Sequence, residues 1–278
     1  MEEFPVIHLR GQLGSLGNSI IQRLLREKVQ IVLDSNDFEI AKAQFSTELE
    51  FSESLVVEAT DCQIKSGHRV VLLGFLGYGN AADDSEMGIE VDGAEVILVT
   101  PSSIETLEVD TSNIDSHIII HDMIPNDSSG PWGNKFMDGI MASLTSGAEL
   151  LDVFSDRYLV SELDVADAIS MLLMCKNPTP SKLNICGRRA WAQDQVRQEL
   201  EILYNRTMAG QTGDFSSESL TSPSTPNIEI VSKNNIVEAR RPNLEALHLA
   251  LVEGGYEGWR PSIPIRTALM HFLIGKLN

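Results

Sequence analysis

The sequence predicts a doubly wound α/β fold, a parallel sheet flanked by helices, with a smaller, mainly helical C-terminal lobe. Three observations predict it. Short β-branched runs alternate with segments of helical period over the first two thirds of the chain. The runs are continuously apolar, as in strands buried on both faces, and do not alternate like a one-sided antiparallel sheet. The later part is more helical, with apolar residues at helical spacing in Val165–Met174, Asp194–Tyr204, Leu244–Val252 and Ile265–Leu273.

Val6–Leu9 opens the pattern as the first strand, followed by glycines and then by Ile20, Ile21, Leu24 and Leu25 at helical spacing. Val29–Leu33 is the second strand. Leu55–Val57, Val70–Leu73, Val96–Val99 and Ile118–Ile120 continue the series. The sheet domain is expected to take residues 1–125 and 158–187, and the smaller lobe 126–157 and 188–278. Within that lobe, residues 207–227 are rich in Ser, Thr, Gly and Pro and read as a flexible loop.

The chain has 278 residues, 42% hydrophobic and 22% charged, enough for one large or two smaller domains. Its longest apolar run, Val70–Leu76, is far too short to span a bilayer, so no membrane association is expected. The start, MEEFPVIHLRG, lacks the basic residues and apolar stretch of a secretory leader. Cys62, Cys175 and Cys186 form no CxxC and leave one unpaired, which argues against a disulfide framework. The expected compartment is a reducing one, the cytoplasm.

Charge is unevenly placed. Residues 1–175 hold 9 Lys and Arg against 30 Asp and Glu, whereas residues 176–278 hold 12 against 10. So negative a field repels phosphate backbones, and nucleic acid is not an expected partner.

Gly11-Gln12-Leu13-Gly14-Ser15-Leu16-Gly17 lies between the first strand and the first helix. Glycines there allow a tight turn, close approach of a pyrophosphate to the backbone, and close packing of helix on sheet. The helix start supplies free N–H groups and partial positive charge for a diphosphate. Asp34 closes the second strand, where an acid accepts hydrogen bonds from ribose hydroxyls and repels a 2′-phosphate. The pattern predicts a Rossmann-like dinucleotide site that takes NAD rather than NADP.

With these residues the sequence resembles the extended short-chain dehydrogenase/reductase family, the NAD-dependent epimerases and dehydratases of nucleotide sugars. The spacing Gly11, Gly14, Gly17, Asp34 is similar to its cofactor signature, with Leu16 inside the loop. Glu58-Ala59-Thr60-Asp61 resembles its adenine-contacting turn, and Val70–Gly74 its fourth strand, which ends beside the cofactor. Ser129-Gly130-Pro131 sits where the family has Tyr-Gly-Pro. Arg157-(x6)-Asp164-Val165-Ala166, Leu183-Asn184-Ile185, Arg240-Arg241-Pro242 and Gly258-Trp259-Arg260-Pro261 follow in the family's order. The resemblance implies cofactor contacts at Gly11, Gly14, Leu16, Gly17, Asp34, Glu58 and Gly74. It also implies a nucleotide-sugar pyrophosphate held near Arg157, Arg241 and Arg260, because a guanidinium fork binds phosphate oxygens bidentately. Ion pairing of these arginines with the acidic N-terminal part is the alternative.

The family's acid/base chemistry rests on a Tyr-x-x-x-Lys pair. Here the four tyrosines are followed four positions on by Ala82, Glu162, Met208 and Arg260, so the pair is missing. The stretch from Ile104 to Ser116 is too short for the long helix that carries it. Weak catalytic candidates remain: Tyr78 past the fourth strand, and Ser102 and Ser103 at the end of the fifth. Arg10, just before the first glycine, either approaches a cofactor phosphate or pairs with a neighbouring carboxylate. His117 and His121 share a strand face but lack a third ligand, and no metal is expected. Two readings follow: an atypical NAD-dependent oxidoreductase or epimerase, and a non-catalytic dinucleotide-binding regulatory protein, either of them monomer or homodimer.

Overall fold

The computed structural model describes residues 4–74, 93–104, 114–127, 130–148, 156–213 and 240–277. Tyr78 and residues 214–227 of the Ser/Thr-rich stretch lie outside them.

Seven strands form one parallel sheet: β1 (Val6–Gly11), β2 (Gln30–Leu33), β3 (Leu55–Glu58), β4 (Arg69–Leu73), β5 (Glu95–Pro101), β6 (Ser116–Ile120) and β9 (Lys182–Ile185). Their order is β3-β2-β1-β4-β5-β6-β9. Val6 pairs with Gln30 and Ile7 with Arg69, so β1 lies between β2 and β4, where the strand order reverses. That reversal opens a crevice at the carboxyl ends of the strands. Two short strands, β7 (Met123–Ile124) and β8 (Val160–Ser161), pair in parallel beside it. The continuous apolar runs have the expected cause: Ile7, Leu9, Ile31, Leu33, Val71, Leu73, Ile97 and Val99 are fully buried on one face, and Val32, Val70 and Leu98 on the other.

The helices are α1 (Gly14–Leu24), α2 (Ser35–Gln44), α3 (Ser46–Phe51), α4 (Lys135–Ser146), α5 (Glu162–Met174), α6 (Gln193–Thr212), α7 (Glu245–Glu253) and α8 (Ile265–Leu277). Leu16, Ile20, Ile21 and Leu24 form the stripe by which α1 covers the sheet. Next to it lies α5, tied across by an ion pair of 2.6 Å between Arg23 and Asp167. Asn134 starts α4, its Oδ1 accepting from the Phe136 and Met137 amides. A second core joins Met137 and Ile140 of α4, Val196 and Leu200 of α6 and Leu269 and Phe272 of α8 to Ile124 and Leu159. Leu247 and Leu251 of α7, with Trp259, pack in the sheet's core instead. Helix α6 continues to Thr212, so residues 207–212 of the expected loop are helical. Among the described residues no helix is long and apolar enough to cross a membrane.

Candidate functional site

The glycine loop sits in the crevice at the switch point. Gly11 ends β1, Gln12 donates its amide to the Leu73 carbonyl at 2.8 Å, and α1 begins at Gly14. Gly14 has φ +52°, which side chains other than glycine's rarely accept, so the turn needs glycine there. Leu13 occupies the cap position and no side chain caps the helix, nor is its first turn acidic. The first amides of α1 are thus left for an anion, with the helix dipole behind them. Gly17 donates to the Leu13 carbonyl at 2.7 Å, closing the first turn. Leu16 is fully buried in the sheet's core, so any contact it makes with a ligand is through its backbone.

Behind the loop stands Trp132, 1% exposed, whose indole N–H donates to the Gln12 carbonyl at 2.8 Å. It belongs to the single turn Gly130–Trp132, and Pro131 and Trp132 press against Gly74 at the end of β4. A Cβ on Gly74 would lie 2.5 Å from Pro131 Cγ, and its φ is +65°. Gly74 is therefore where the wall of the crevice comes closest to the loop's support.

Asp34 follows β2 at the start of α2, half-exposed, and pairs with the Arg10 guanidinium. Arg10 meets a neighbouring carboxylate, one of its two expected fates, and that carboxylate is the predicted ribose ligand. The contact runs from Arg10 Nη1 to Asp34 Oδ1. Glu58, opposite Leu33 at the end of β3, accepts from Ser35 Oγ. Asp34 and Glu58 thus face the same edge of the crevice. Ser102 and Ser103 form a single turn after β5, with Ser103 exposed.

Sequence reading missed Glu162. It is fully buried at the first position of α5 and accepts four hydrogen bonds. Ser15 Oγ and Ser19 Oγ donate at 2.7 Å each, the Asn126 amide at 2.8 Å and Asn126 Nδ2 at 3.0 Å. Burial pushes its carboxyl above the usual range, while the Ser15, Asn126 and Ser19 hydrogen bonds pull the other way. The carboxylate locks the first turns of α1 to the loop after β7. The one sequence signal was the pair of serines, four apart, on the buried side of an otherwise apolar helix.

Asp164, two residues along α5, accepts from the Ser262 and Ile263 amides at 2.7 and 3.2 Å. Burial raises it too, against those hydrogen bonds. Asp164 thus meets the two residues that follow the Gly258–Pro261 segment, distant in sequence. Trp259 completes that junction, its indole donating to the Cys186 carbonyl at 3.0 Å. The buried Cys186 thiol is pushed up to about 12, first by burial and then by the Asp122 charge, and is not a nucleophile at neutral pH.

The three predicted phosphate-binding arginines have separate surroundings. Arg157 pairs with Asp122 at 3.3 Å and lies over the Phe136 ring. Arg241 lines an open cleft with Arg188, His248 and Trp259. Arg260 is exposed beside Glu257, 3.9 Å away. His117 bonds Thr100 Oγ1 at 2.8 Å and His121 bonds Asn184 Oδ1 at 3.0 Å, so the two serve different partners.

No family model matches the sequence, and no curated protein matches it either. Similar solved structures exist. A UDP-glucuronic acid 4-epimerase from Bacillus cereus, crystallised with NAD and a fluorinated UDP-glucuronic acid, has a TM-score of 0.57 at 12% identity, covering 98% of this chain and 99% of that one. A UDP-glucose 4-epimerase from Bifidobacterium longum, in complex with NAD+ and UDP, has 0.53 at 9% identity, covering 98% of each. A dTDP-glucose 4,6-dehydratase from Streptomyces venezuelae, with NAD bound, has 0.51 at 11% identity, covering 98% and 97%. At these identities the likeness is one of fold: this chain has the Rossmann-like architecture on which those epimerases and dehydratases are built.

Proposed function

We propose that this chain binds NAD(H) along the crevice, with pyrophosphate at Gly11–Gly17, and works without the tyrosine–lysine chemistry of its structural likenesses. The observation that carries the reading is the uncapped start of α1, behind a glycine turn, at the point where strand order reverses. The other groups fit the cofactor. Asp34 and Glu58 offer carboxylate acceptors for the adenosine ribose and adenine, and Gly74 ends β4 on the nicotinamide side. When bound, the nicotinamide ring takes up or releases hydride, and this chain's residues position it.

The role favoured is binding or regulation, because no tyrosine here has a lysine four positions on. An atypical oxidoreductase or epimerase is the second reading, supported by the fold shared with nucleotide-sugar enzymes. In it, Arg241 is the arginine best placed for a pyrophosphate, since it shares an open cleft with Arg188. NADH titration by nicotinamide fluorescence tests the cofactor. Saturable enhancement that Gly14→Val weakens supports it, and no enhancement with folded protein overturns it.

A further inference from the structure

A group of metal-binding side chains lies on the sheet face opposite α1, unused by the dinucleotide reading. His8 alternates along β1 with Ile7 and Leu9, which pack in the core under α1, so its ring points the other way. Its strand partners there are Val32 and Val70, both buried, and His8 itself is fully buried. An imidazole between two valines is an unusual occupant of a parallel sheet. The connection from β3 to β4 explains what it meets, because Cys62 follows the turn Ala59–Asp61 and His68 immediately precedes β4.

These three residues converge. His8 Nε2 and His68 Nδ1 are 3.1 Å apart, with the rings stacked at 5.3 Å between centroids. One ligand atom from each of His8, Cys62 and His68 lies within 4.8 Å of the others. His8 Nε2 has His68 Nδ1 as its hydrogen-bond partner, while the other ring nitrogen, Nδ1, is buried without one. Gln30 Nε2 donates to Cys62 Sγ at 3.3 Å, which fixes the thiol beside the two rings.

Tetrahedral zinc, with bonds of about 2.0–2.3 Å, holds its ligand atoms roughly 3.3–3.6 Å apart. The two histidine nitrogens already stand near that separation, and the Cys62 thiol must close in by no more than about 1.5 Å. Cys62 and His68 are half-buried, which leaves a path from solvent. Arg10, two residues along the same face of β1, is ion-paired with Asp34. Two imidazoles and a thiolate suit a borderline or soft transition ion and not Mg2+ or Ca2+, which prefer oxygen ligands.

We propose that His8, Cys62 and His68 form a three-ligand site for a late first-row transition ion such as Zn2+, with water in the fourth position. Binding replaces the Cys62 thiol proton, which goes to solvent. The ion pins β1 to the β3–β4 connection, below the strand ends that carry Arg10 and Asp34. The site is independent of the dinucleotide reading, and either can fail alone.

The test uses the full chain, stripped with chelator and titrated with Zn2+ against a chromophoric competitor, with Mg2+ as the hard-ion arm. One equivalent of Zn2+ is expected and no Mg2+. Co2+ is expected to give a near-ultraviolet thiolate charge-transfer band. Cys62→Ser and His68→Gln, at half-buried positions that tolerate change better than His8, should each weaken Zn2+ at least about tenfold. Cys62→Ser should also abolish the Co2+ band, while Cys175→Ser and His121→Asn leave both readouts unchanged. Circular dichroism checks that every variant is folded. Absence of stoichiometric Zn2+ binding overturns the proposal, as does binding that survives Cys62→Ser and His68→Gln together in folded protein, or a band lost with Cys175→Ser instead.

Discussion

Arg10 and Asp34, at the carboxyl ends of the adjacent strands β1 and β2, form an ion pair across the mouth of the proposed ribose site. The arginine is mostly buried and the aspartate half-exposed. Such a pair contributes only about 1 kcal/mol to stability, so its weight is in recognition. Asp34 sets a carboxylate, paired with Arg10, where a 2′-phosphate would have to sit.

The first prediction follows from that relationship. Asp34→Asn should weaken NADH and, by removing the charge that repels a 2′-phosphate, strengthen NADPH, changing their affinity ratio by about tenfold or more, or about 1.4 kcal/mol. Arg10→Ala should shift the ratio toward NADH. Parallel fluorescence titrations with the two cofactors measure both. A ratio unmoved by Asp34→Asn removes the pair from cofactor choice.

Gly74 and Trp132 predict a coupling of stability to binding. Gly74→Ala places a methyl 2.5 Å from Pro131 Cγ on backbone with φ +65°, and should cost about 1–3 kcal/mol. Trp132→Phe removes the hydrogen bond to the Gln12 carbonyl, costing about 1 kcal/mol. Because that bond supports the loop, NADH affinity should fall as well. Chemical denaturation and NADH titration read the two effects. Loss of stability with full NADH affinity in Trp132→Phe would show that the indole only fills space.

Glu162 yields a prediction with a sign in pH. Its folded carboxyl is raised above the ordinary value of 4.5, first by burial. The folded state therefore binds the proton more tightly than the unfolded one. The stabilisation from this group is fully present below 4.5 and is lost as pH rises through the folded value. Glu162→Gln removes the titration and turns an amide N–H toward the Asn126 donors, at a cost of about 1–3 kcal/mol. That penalty should be larger at pH 5 than at pH 8 in denaturant unfolding. A larger penalty at pH 8 would mean that the hydrogen bonds from Ser15, Ser19 and Asn126 outweigh burial.

The strands were legible because their physics is local: a run apolar on both faces has few other places to go. Helix α1 was legible from its stripe, and the glycine loop from its place between strand and helix. Helices α2 and α3 were not. Only Ala41 is buried in α2 and nothing in α3, so neither carries an apolar stripe that sequence periodicity can detect. The site shows the same division. Gly14 opens α1 and Gly74 follows β4, next to elements whose apolar runs were legible. The Arg10–Asp34 pair, the Glu162 network and the His8–Cys62–His68 group depend on parallel register and on crossover connections that bring distant positions together. A sequence shows that such residues exist and not that they touch.

The last prediction concerns turnover. A positioned acid/base side chain typically contributes about 10²–10⁴-fold to a proton transfer, which a sugar-hydroxyl oxidation requires. Among the described tyrosines, Tyr158, Tyr204 and Tyr256 are followed at the fourth position by Glu162, Met208 and Arg260, none of them the lysine that would lower a phenol. Tyr256 is even raised, chiefly by burial, which makes it a poorer base. Ser103 is exposed at the end of β5, and a serine hydroxyl is a weak acid/base until a basic neighbour activates it. Tyr78 is the sequence's remaining candidate and lies outside the described residues. Incubation with NAD and a panel of UDP- and dTDP-sugars, followed by product analysis, should therefore give little or no conversion even where NADH binding is tight. Robust conversion would defeat the binding-protein reading in favour of the enzyme. Tyr78→Phe then separates the routes: activity lost in that variant assigns the acid/base role to Tyr78, and activity retained requires another group in the crevice.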